Sequence, residues 1–287
     1  MEILVALVPM FAWGSIGLVS GKIGGSANQQ TLGMTIGALI FSIIVFLIVQ
    51  PAISIQMSIV GILSGLFWSV GQNQQFQGMK NLGVSVALPV STGMQLVVNT
   101  IAGAVFFHEW KSSKDFILGF VALSFLILGS YLTARQDDES DVKTTNTMLN
   151  FNKGFRALLV STVGYGFYTI IINAAGLDPM GIILPQSIGM LVGASFFAFR
   201  KVKINRHVWL NVSCGLLWGL GNICMLLTMR KLGLAISFSL SQMGIIISTL
   251  GGIYILGERK SKKEMRYVVF GCLFVILGGI LLGYMKA

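Results

Sequence analysis

The stretch WSVGQNQQFQGMKNLG, from Trp68 to Gly83, recurs in altered form as WGLGNICMLLTMRKLG, from Trp218 to Gly233. Five residues are identical in the two copies: Trp68, Gly71, Met79, Leu82 and Gly83 recur as Trp218, Gly221, Met229, Leu232 and Gly233. Lys80 is matched by Arg230. A repeat in constant register indicates that a unit of roughly 145–150 residues has been duplicated. The fold is therefore expected to consist of two related halves.

The stretches that follow the two copies also end alike. FFHEWKSSK closes the first and LGERKSKK the second, so that Glu109 is matched by Glu258 after a gap of one residue. A weaker echo lies upstream, where the pattern Gln-x-x-Gly-x-x-x-Gly begins at Gln30 in the first half and at Gln186 in the second. The duplication thus extends well beyond the quoted stretch.

The composition is that of an integral membrane protein. Hydrophobic residues make up 54% of the 287 residues and charged residues 10%, with a mean hydropathy of +0.81. A soluble domain usually contains about 25% charged residues. At about 20 residues for each spanning helix, ten helices would use most of the chain. No stretch then remains for a soluble catalytic domain.

The apolar segments predict an all-α membrane fold with ten transmembrane helices. The helices run from about Ile3 to Ser20, Thr31 to Val49, Ile55 to Met79, Val84 to Phe107, Phe116 to Ala134, Gly154 to Asn173, Gly181 to Phe199, Val208 to Met229, Leu234 to Leu256 and Met265 to Tyr284. The polar linker 135–153 separates a first five-helix repeat, 1–134, from a second, 154–287. Because five is odd, the second repeat must enter the membrane from the opposite side, which gives the inverted repeats of many secondary transporters.

The basic residues bear on orientation in the membrane. The formal net charge is +10, and Lys and Arg are concentrated in every second loop, beginning with the loop between helices 1 and 2. Basic loops beside anionic lipid headgroups account for this charge, and nucleic-acid binding is not expected. The positive-inside rule then places both termini outside the cell.

The predicted spans have no Asp, Glu, Lys, Arg or His near their middle, so the substrate is expected to be neutral. Amides both donate and accept hydrogen bonds, and an indole can cover the less polar face of a sugar ring, so these side chains favour a polyol or sugar. The candidate substrate-binding residues are Trp13, Trp68, Gln72, Asn73, Gln95, Asn99, Trp218, Asn222 and Gln242. For each amide the alternative role is a hydrogen bond between neighbouring helices.

The sequence contains no pattern of catalytic residues, metal ligands or phosphate-binding glycines, so we expect neither an enzyme nor a cofactor or metal site. His108 and Glu109 are adjacent at the end of predicted helix 4, and Glu258 is the counterpart of Glu109. These three residues are the candidates for carrying a coupled proton. A solvated helix end is the alternative for the His-Glu pair.

The five-plus-five plan and the Glu-Trp and Glu-Arg pairs that close helices 4 and 9 resemble the drug/metabolite transporter superfamily. Within it, the segments Val5–Leu39 and Gly71–Leu96 and the FFHEW end of helix 4 resemble the bacterial glucose/ribose uptake proteins. The resemblance covers nearly the whole chain. It implies uptake of glucose or ribose, coupled to protons, across the bacterial plasma membrane. It also implies cytoplasmic termini, which conflicts with the charge count, and both orientations stay open.

The sequence therefore favours a multi-pass transporter that imports a neutral monosaccharide together with a proton, by rocking of the two halves. An exporter of small neutral or zwitterionic metabolites would use the same fold. A membrane scaffold or sensor is the alternative of a different class, and it would show no saturable flux. The sequence does not distinguish glucose from ribose, and it gives no oligomeric state.

Overall fold

The computed structural model describes residues 2–135 and 150–284. In these ranges ten helices are long and apolar enough to cross a membrane, which confirms the predicted all-α fold and its ten spans. They are α1 (Glu2–Ile23), α2 (Ala27–Val49), α3 (Ile55–Leu82), α4 (Val84–Phe106), α5 (Ser113–Ala134), α6 (Phe151–Ala175), α7 (Pro179–Ala198), α8 (Arg206–Leu232), α9 (Leu234–Tyr254) and α10 (Lys262–Tyr284). Most of the predicted linker lies outside the described residues, and α6 begins within its last three residues.

The starts of the helices differ in how their free N–H groups are satisfied. Ser26, Ser54 and Ser112 begin α2, α3 and α5, and each hydroxyl accepts a hydrogen bond from the backbone N–H three residues on. By contrast, α4 and α9 follow Gly83 and Gly233, which have positive φ angles of 81° and 85° and no side chain to cap the helix. The first N–H groups of α4 and α9 therefore need partners from elsewhere in the chain.

Glycines let helices of the two halves approach one another closely. A Cβ added at Gly37 would lie 2.0 Å from the carbonyl oxygen of Val212, and one at Gly65 would lie 2.1 Å from that of Gln186. No other residue fits at such distances, as is common where membrane helices pack. These contacts hold α2 against α8 and α3 against α7.

The helices exchange packing partners between the two halves. α3 packs against α6 and α7, and its counterpart α8 packs against α1 and α2. α4 packs against α9 and α5 against α10, so that these counterparts pair with each other. The outer faces carry exposed apolar side chains such as Phe196 (82% exposed) and Ile55 (81%), as expected for surfaces in contact with lipid.

Two helices near the centre depart from regular α-helix. α4 ends in a π-helical turn, Ala102–Phe106, and α9 is interrupted by a 3₁₀ turn, Gln242–Gly244. The interruption lies against α1, where a Cβ at Gly14 would be 2.8 Å from the carbonyl oxygen of Gly244. Such irregular turns often occur at functional sites. Here the 3₁₀ turn places Gln242 at the centre of the protein.

Candidate functional site

A cavity of about 90 Å³ lies at the centre, with walls from α1, α3, α4, α6, α8 and α9. A cavity needs at least ~10–15 Å³ to hold one water molecule, so this one can hold water or a small ligand. Six of the nine predicted binding residues line it, namely Trp13, Trp68, Gln72, Gln95, Trp218 and Gln242. None of the described residues along the walls is Asp, Glu, Lys, Arg or His. A neutral ligand therefore suits the cavity better than an ion.

Aromatic rings form one part of the lining. The ring centroids of Trp68 and Trp218, which are counterparts in the two halves, lie 5.2 Å apart at an interplanar angle of 62°. Tyr165 packs edge-on against Trp68 at 6.3 Å. Trp13 Nε1 donates a hydrogen bond to the carbonyl oxygen of Trp218 at 3.3 Å. Because each ring is held by another element, the apolar surface of the cavity is fixed before any ligand enters.

Two glycines make room for these rings. A Cβ at Gly71 would lie 2.9 Å from the ring of Tyr165, and a Cβ at Gly221 would lie 2.4 Å from Nε1 of Trp13. Gly71 and Gly221 are counterparts in the repeated stretch. The two identical glycines thus have the same role, which is to let an aromatic ring from another helix lie against the backbone.

A hydrogen-bonded group of amides forms the polar part of the lining. The Tyr165 hydroxyl donates to Oε1 of Gln72 at 2.6 Å and lies 3.2 Å from Oε1 of Gln75. Gln75 Nε2 donates to the Ser91 hydroxyl at 3.0 Å, and Gln95 Nε2 donates to the same oxygen at 2.9 Å. These hydrogen bonds fix the orientations of the amides relative to one another before any ligand binds.

Three predicted binding residues do not line the cavity. Asn73 donates to Asn28 Oδ1 at 2.8 Å and to Thr31 at 3.3 Å, which joins α3 to α2. Asn99 accepts a hydrogen bond from Thr169 of α6.

Asn222, the third of these residues, accepts from the Tyr168 hydroxyl at 2.5 Å and donates to Gln186 at 2.8 Å. Asn73, Asn99 and Asn222 are at most 2% exposed. The structure places these three amides as links between helices, the alternative that the sequence left open.

Several lining residues were not among the predicted binding residues. Gln75, Thr92, Tyr165, Tyr168, Ser241 and Ser248 contribute polar atoms to the wall. Gln75 had a clear signal, because it lies seven residues after Trp68 and so shares its helix face. Ser248 lies beyond the interruption in α9, where regular helical spacing does not apply.

Glu109 does not line the cavity; it caps a helix of the other half. Its two carboxylate oxygens accept hydrogen bonds from the backbone N–H groups of Leu234 and Ala235, at 2.7 and 2.9 Å. These are the first N–H groups of α9, which has no cap of its own. The helix dipole favours a negative charge at this place.

Glu258 does the same for α4. Its oxygens accept from the N–H groups of Val84 and Ser85, again at 2.7 and 2.9 Å. α4 and α9 therefore run in opposite directions and are joined at both ends. Beside this cap, burial lowers the pKa of Lys260, although Glu264 and Glu258 act in the opposite direction.

His108 lies on the surface, immediately before Glu109. Its φ angle is +50°, in the left-handed region that favours glycine, and its counterpart Gly257 has a φ of +72°. Both residues thus make the same turn that leads from the helix end to the capping glutamate.

Comparison with known proteins gives a family. The family model described as Sugar transport protein matches residues 4–285. A protein of Enterococcus faecalis named "Putative sugar uptake protein" is 78% identical over 287 residues, which is 100% of each chain. Similarly named proteins of Streptococcus pyogenes and Streptococcus agalactiae are 51% identical over 286 residues, which is 99% of each chain.

A solved crystal structure shares the fold. It has 15% identical residues and superposes with a TM-score of 0.70, over 99% of this chain and 98% of the other. The similarity at this identity concerns the arrangement of the helices alone. The family match and the close relatives span nearly the full length of the chain, and its described residues form ten helices long and apolar enough to cross a membrane. The chain is therefore a multi-pass bacterial membrane protein that belongs to the Sugar transport protein family.

Proposed function

We propose that this protein is a secondary transporter that imports a neutral monosaccharide, with glucose as the first candidate and ribose as the second. The observation that carries the proposal is the uncharged central cavity, which combines indole rings with glutamine amides. Family membership and the names of the relatives support a sugar as the substrate.

The chemistry of the lining suits a sugar. Each hydroxyl group of a sugar is both donor and acceptor, and the amides of Gln72 and Gln95 offer both kinds of group. The C–H face of a sugar ring is apolar and can lie against the indoles of Trp68 and Trp218. The described residues of the cavity wall include no charged side chain that could pair with an ion, and a neutral ligand loses less hydration on entry than an ion would.

The proposed transport cycle is alternating access by two inverted five-helix repeats. The opposite directions of α4 and α9, and the exchange of packing partners between α3 and α8, support an inverted relation. Two such halves can close around a central site toward either face by equivalent motions. The cavity between them is the proposed site of the sugar.

We further propose that a proton drives the import, with Glu109, Glu258 and His108 as the candidate coupling residues. Each glutamate holds the first turn of a helix from the other half, with both oxygens accepting. Adding a proton would remove the negative charge that the helix start favours and one of the acceptors, which would loosen that cap. Protonation would thereby be linked to opening at one end of the helix pair.

The test of substrate and direction is uptake of labelled glucose by purified protein in liposomes, with and without an inward proton gradient. Gln72→Ala is expected to lower the kcat/KM of saturable uptake by about tenfold or more. Gln74→Ala is the matched control, because Gln74 is a half-buried amide on the same helix that does not line the cavity. Excess ribose as competitor separates the two sugars. Absence of saturable uptake from folded protein would overturn the proposal in favour of an exporter or a non-transporting scaffold.

The test of coupling uses Glu109→Gln and Glu258→Gln in the same liposomes. Exchange of labelled for unlabelled sugar should persist, since it needs no net proton movement, whereas accumulation driven by the gradient should be lost. Equal loss of both activities would show only that the caps are needed for folding. Unchanged accumulation in both variants would rule out these carboxylates as proton carriers.

A further inference from the structure

We infer that Tyr165 is a positioning residue, whose hydroxyl fixes the orientation of the Gln72 and Gln75 amides so that both present N–H groups to the sugar. The inference rests on the proposed transport of a sugar through the central cavity. It gives Tyr165, from the second half, a role in orienting two amides of the first half.

The geometry places one hydroxyl between two amides. Tyr165 belongs to α6, and Gln72 and Gln75 lie one turn apart on α3. The Tyr165 oxygen is 2.6 Å from Oε1 of Gln72 and 3.2 Å from Oε1 of Gln75. The ring itself has little freedom, since it is 7% exposed and packs against the backbone of Gly71. The hydroxyl has one proton, which it donates to the nearer oxygen, so the rigid ring anchors Gln72 directly and Gln75 through the Gln72 amide.

A count of donors and acceptors shows what remains for a ligand. Each amide has one carbonyl oxygen and two N–H groups. The carbonyl of Gln72 is bound by Tyr165, and one N–H of Gln72 lies 3.4 Å from Oε1 of Gln75. Gln75 gives one N–H to Ser91. Within the described part of the chain, one N–H of each amide is left over, and both amides line the cavity.

The consequence is a wall that donates hydrogen bonds. A sugar would be recognised there through the lone pairs of its hydroxyl or ring oxygens. Without the Tyr165 hydroxyl, the Gln72 amide could rotate and offer its carbonyl oxygen as well as its N–H groups, and Gln75 would lose its fixed neighbour while keeping its bond to Ser91. Binding of the sugar would then have to order the amides first, which weakens affinity while leaving the later steps of transport unchanged.

Tyr168 provides a matched comparison. It also lies on α6, lines the cavity and is buried, but among the described residues its hydroxyl bonds Asn222 at 2.5 Å and neither of the two glutamines. Tyr168→Phe removes the same atom as Tyr165→Phe from the same helix. Its effect should therefore be independent of Gln72 and Gln75.

The test is a mutant cycle of sugar uptake in liposomes with Tyr165→Phe, the pair Gln72→Ala with Gln75→Ala, and all three together. Loss of hydrogen bonds of this kind should raise KM roughly three- to tenfold in Tyr165→Phe with Vmax unchanged. In the double-alanine background the same change should have no further effect on KM. A full additional increase in the triple variant would overturn the inference, because Tyr165 would then act on the sugar itself.

Thermal unfolding of the same variants tests the inference without any sugar. The unfolding midpoints of Tyr165→Phe and the double alanine should combine non-additively, because the variants share partners, whereas those of Tyr168→Phe and the double alanine should add. Additive midpoints in both cycles would overturn the positioning role. If the wild-type protein shows no saturable uptake, the proposed function fails, and this second cycle still decides the inference.

Discussion

At the ends of α4 and α9 the two halves of the chain make the same contact, in which a glutamate of one half caps a helix of the other. Glu109 and Glu258 each accept two backbone N–H groups from the other half, with the same pair of distances, 2.7 and 2.9 Å. Along the cavity the same halves differ. Gln75 is matched by Met225.

The difference follows from what each place has to bind. A helix start always presents the same N–H groups, so one carboxylate suits both halves equally well. A sugar has no two-fold symmetry, so two identical walls would offer it the same groups twice. In the amide wall, where the substrate is proposed to bind, the halves diverge, whereas identity is kept at the capping glutamates and at Trp68 and Trp218, which also line the cavity.

The largest effect is expected from removing a cap. Glu109→Ala or Glu258→Ala leaves two N–H groups of a helix start without a partner and should destabilise the folded protein by about 2–3 kcal/mol. The measurement is the thermal unfolding midpoint in detergent. Asp178→Ala is the control, because Asp178 caps α7 within its own half and is about half exposed. An equal, small effect of all three changes would contradict the idea that the caps join the halves.

The next effect separates binding from packing among the amides. Gln72→Ala should lower kcat/KM for sugar uptake by about tenfold or more in the protein that remains folded. Asn73→Ala should lower the midpoint, since Asn28 and Thr31 lose their partner, and the protein that remains folded should keep its KM. The reverse pattern would move the site from the cavity to the α2–α3 contact.

A smaller effect is expected from making one wall resemble the other. Gln75→Met places the residue of the second half at its counterpart in the first, and a side chain of similar length should be accommodated without unfolding. Loss of the polar contacts should raise the KM for sugar about three- to tenfold. Uptake kinetics and the unfolding midpoint together check this expectation. An unchanged KM would show that this difference between the halves does not concern the substrate.

The smallest effect is expected from His108→Gly, which copies Gly257 of the other half. Glycine accepts a positive φ without strain, and the gain is offset by its greater freedom in the unfolded chain, so stability should change by less than about 1 kcal/mol. Uptake driven by the proton gradient then reports on His108 alone. A loss of the gradient response with normal sugar exchange would support His108 in proton transfer, and an unchanged response would exclude it.

Much of the fold could be predicted from the sequence, because spans of apolar residues and their spacing depend on local chain properties. The cavity was partly predictable for the same reason, since Trp68 and Gln72 share a helix face. Asn73, one residue further on, points about 100° around the helix. Only the neighbouring helix decides its role there, and the sequence does not say that α2 occupies that side.

The counterparts Gln72 and Asn222 show a second limit. They occupy the same place in the repeat, yet Gln72 lines the cavity and Asn222 does not, because Tyr168 and Gln186 bind its amide. The capping role of Glu109 was equally hidden, since its partner lies 125 residues away. An indirect indication of an external cap lies at Gly83 and Gly233. Each is followed directly by a helix and has no side chain that could cap it.

The two capping contacts, Glu109 on α9 and Glu258 on α4, have a consequence for the synthesis of the protein. Glu258 lies 174 residues after Val84, so the start of α4 has to wait for its partner until nearly the whole chain has left the ribosome. The start of α9, by contrast, finds Glu109 already in place. The start of α4 therefore lacks its capping acceptors until the second half has been synthesised. A chain that ends before Glu258 would leave the first N–H groups of α4 without these acceptors.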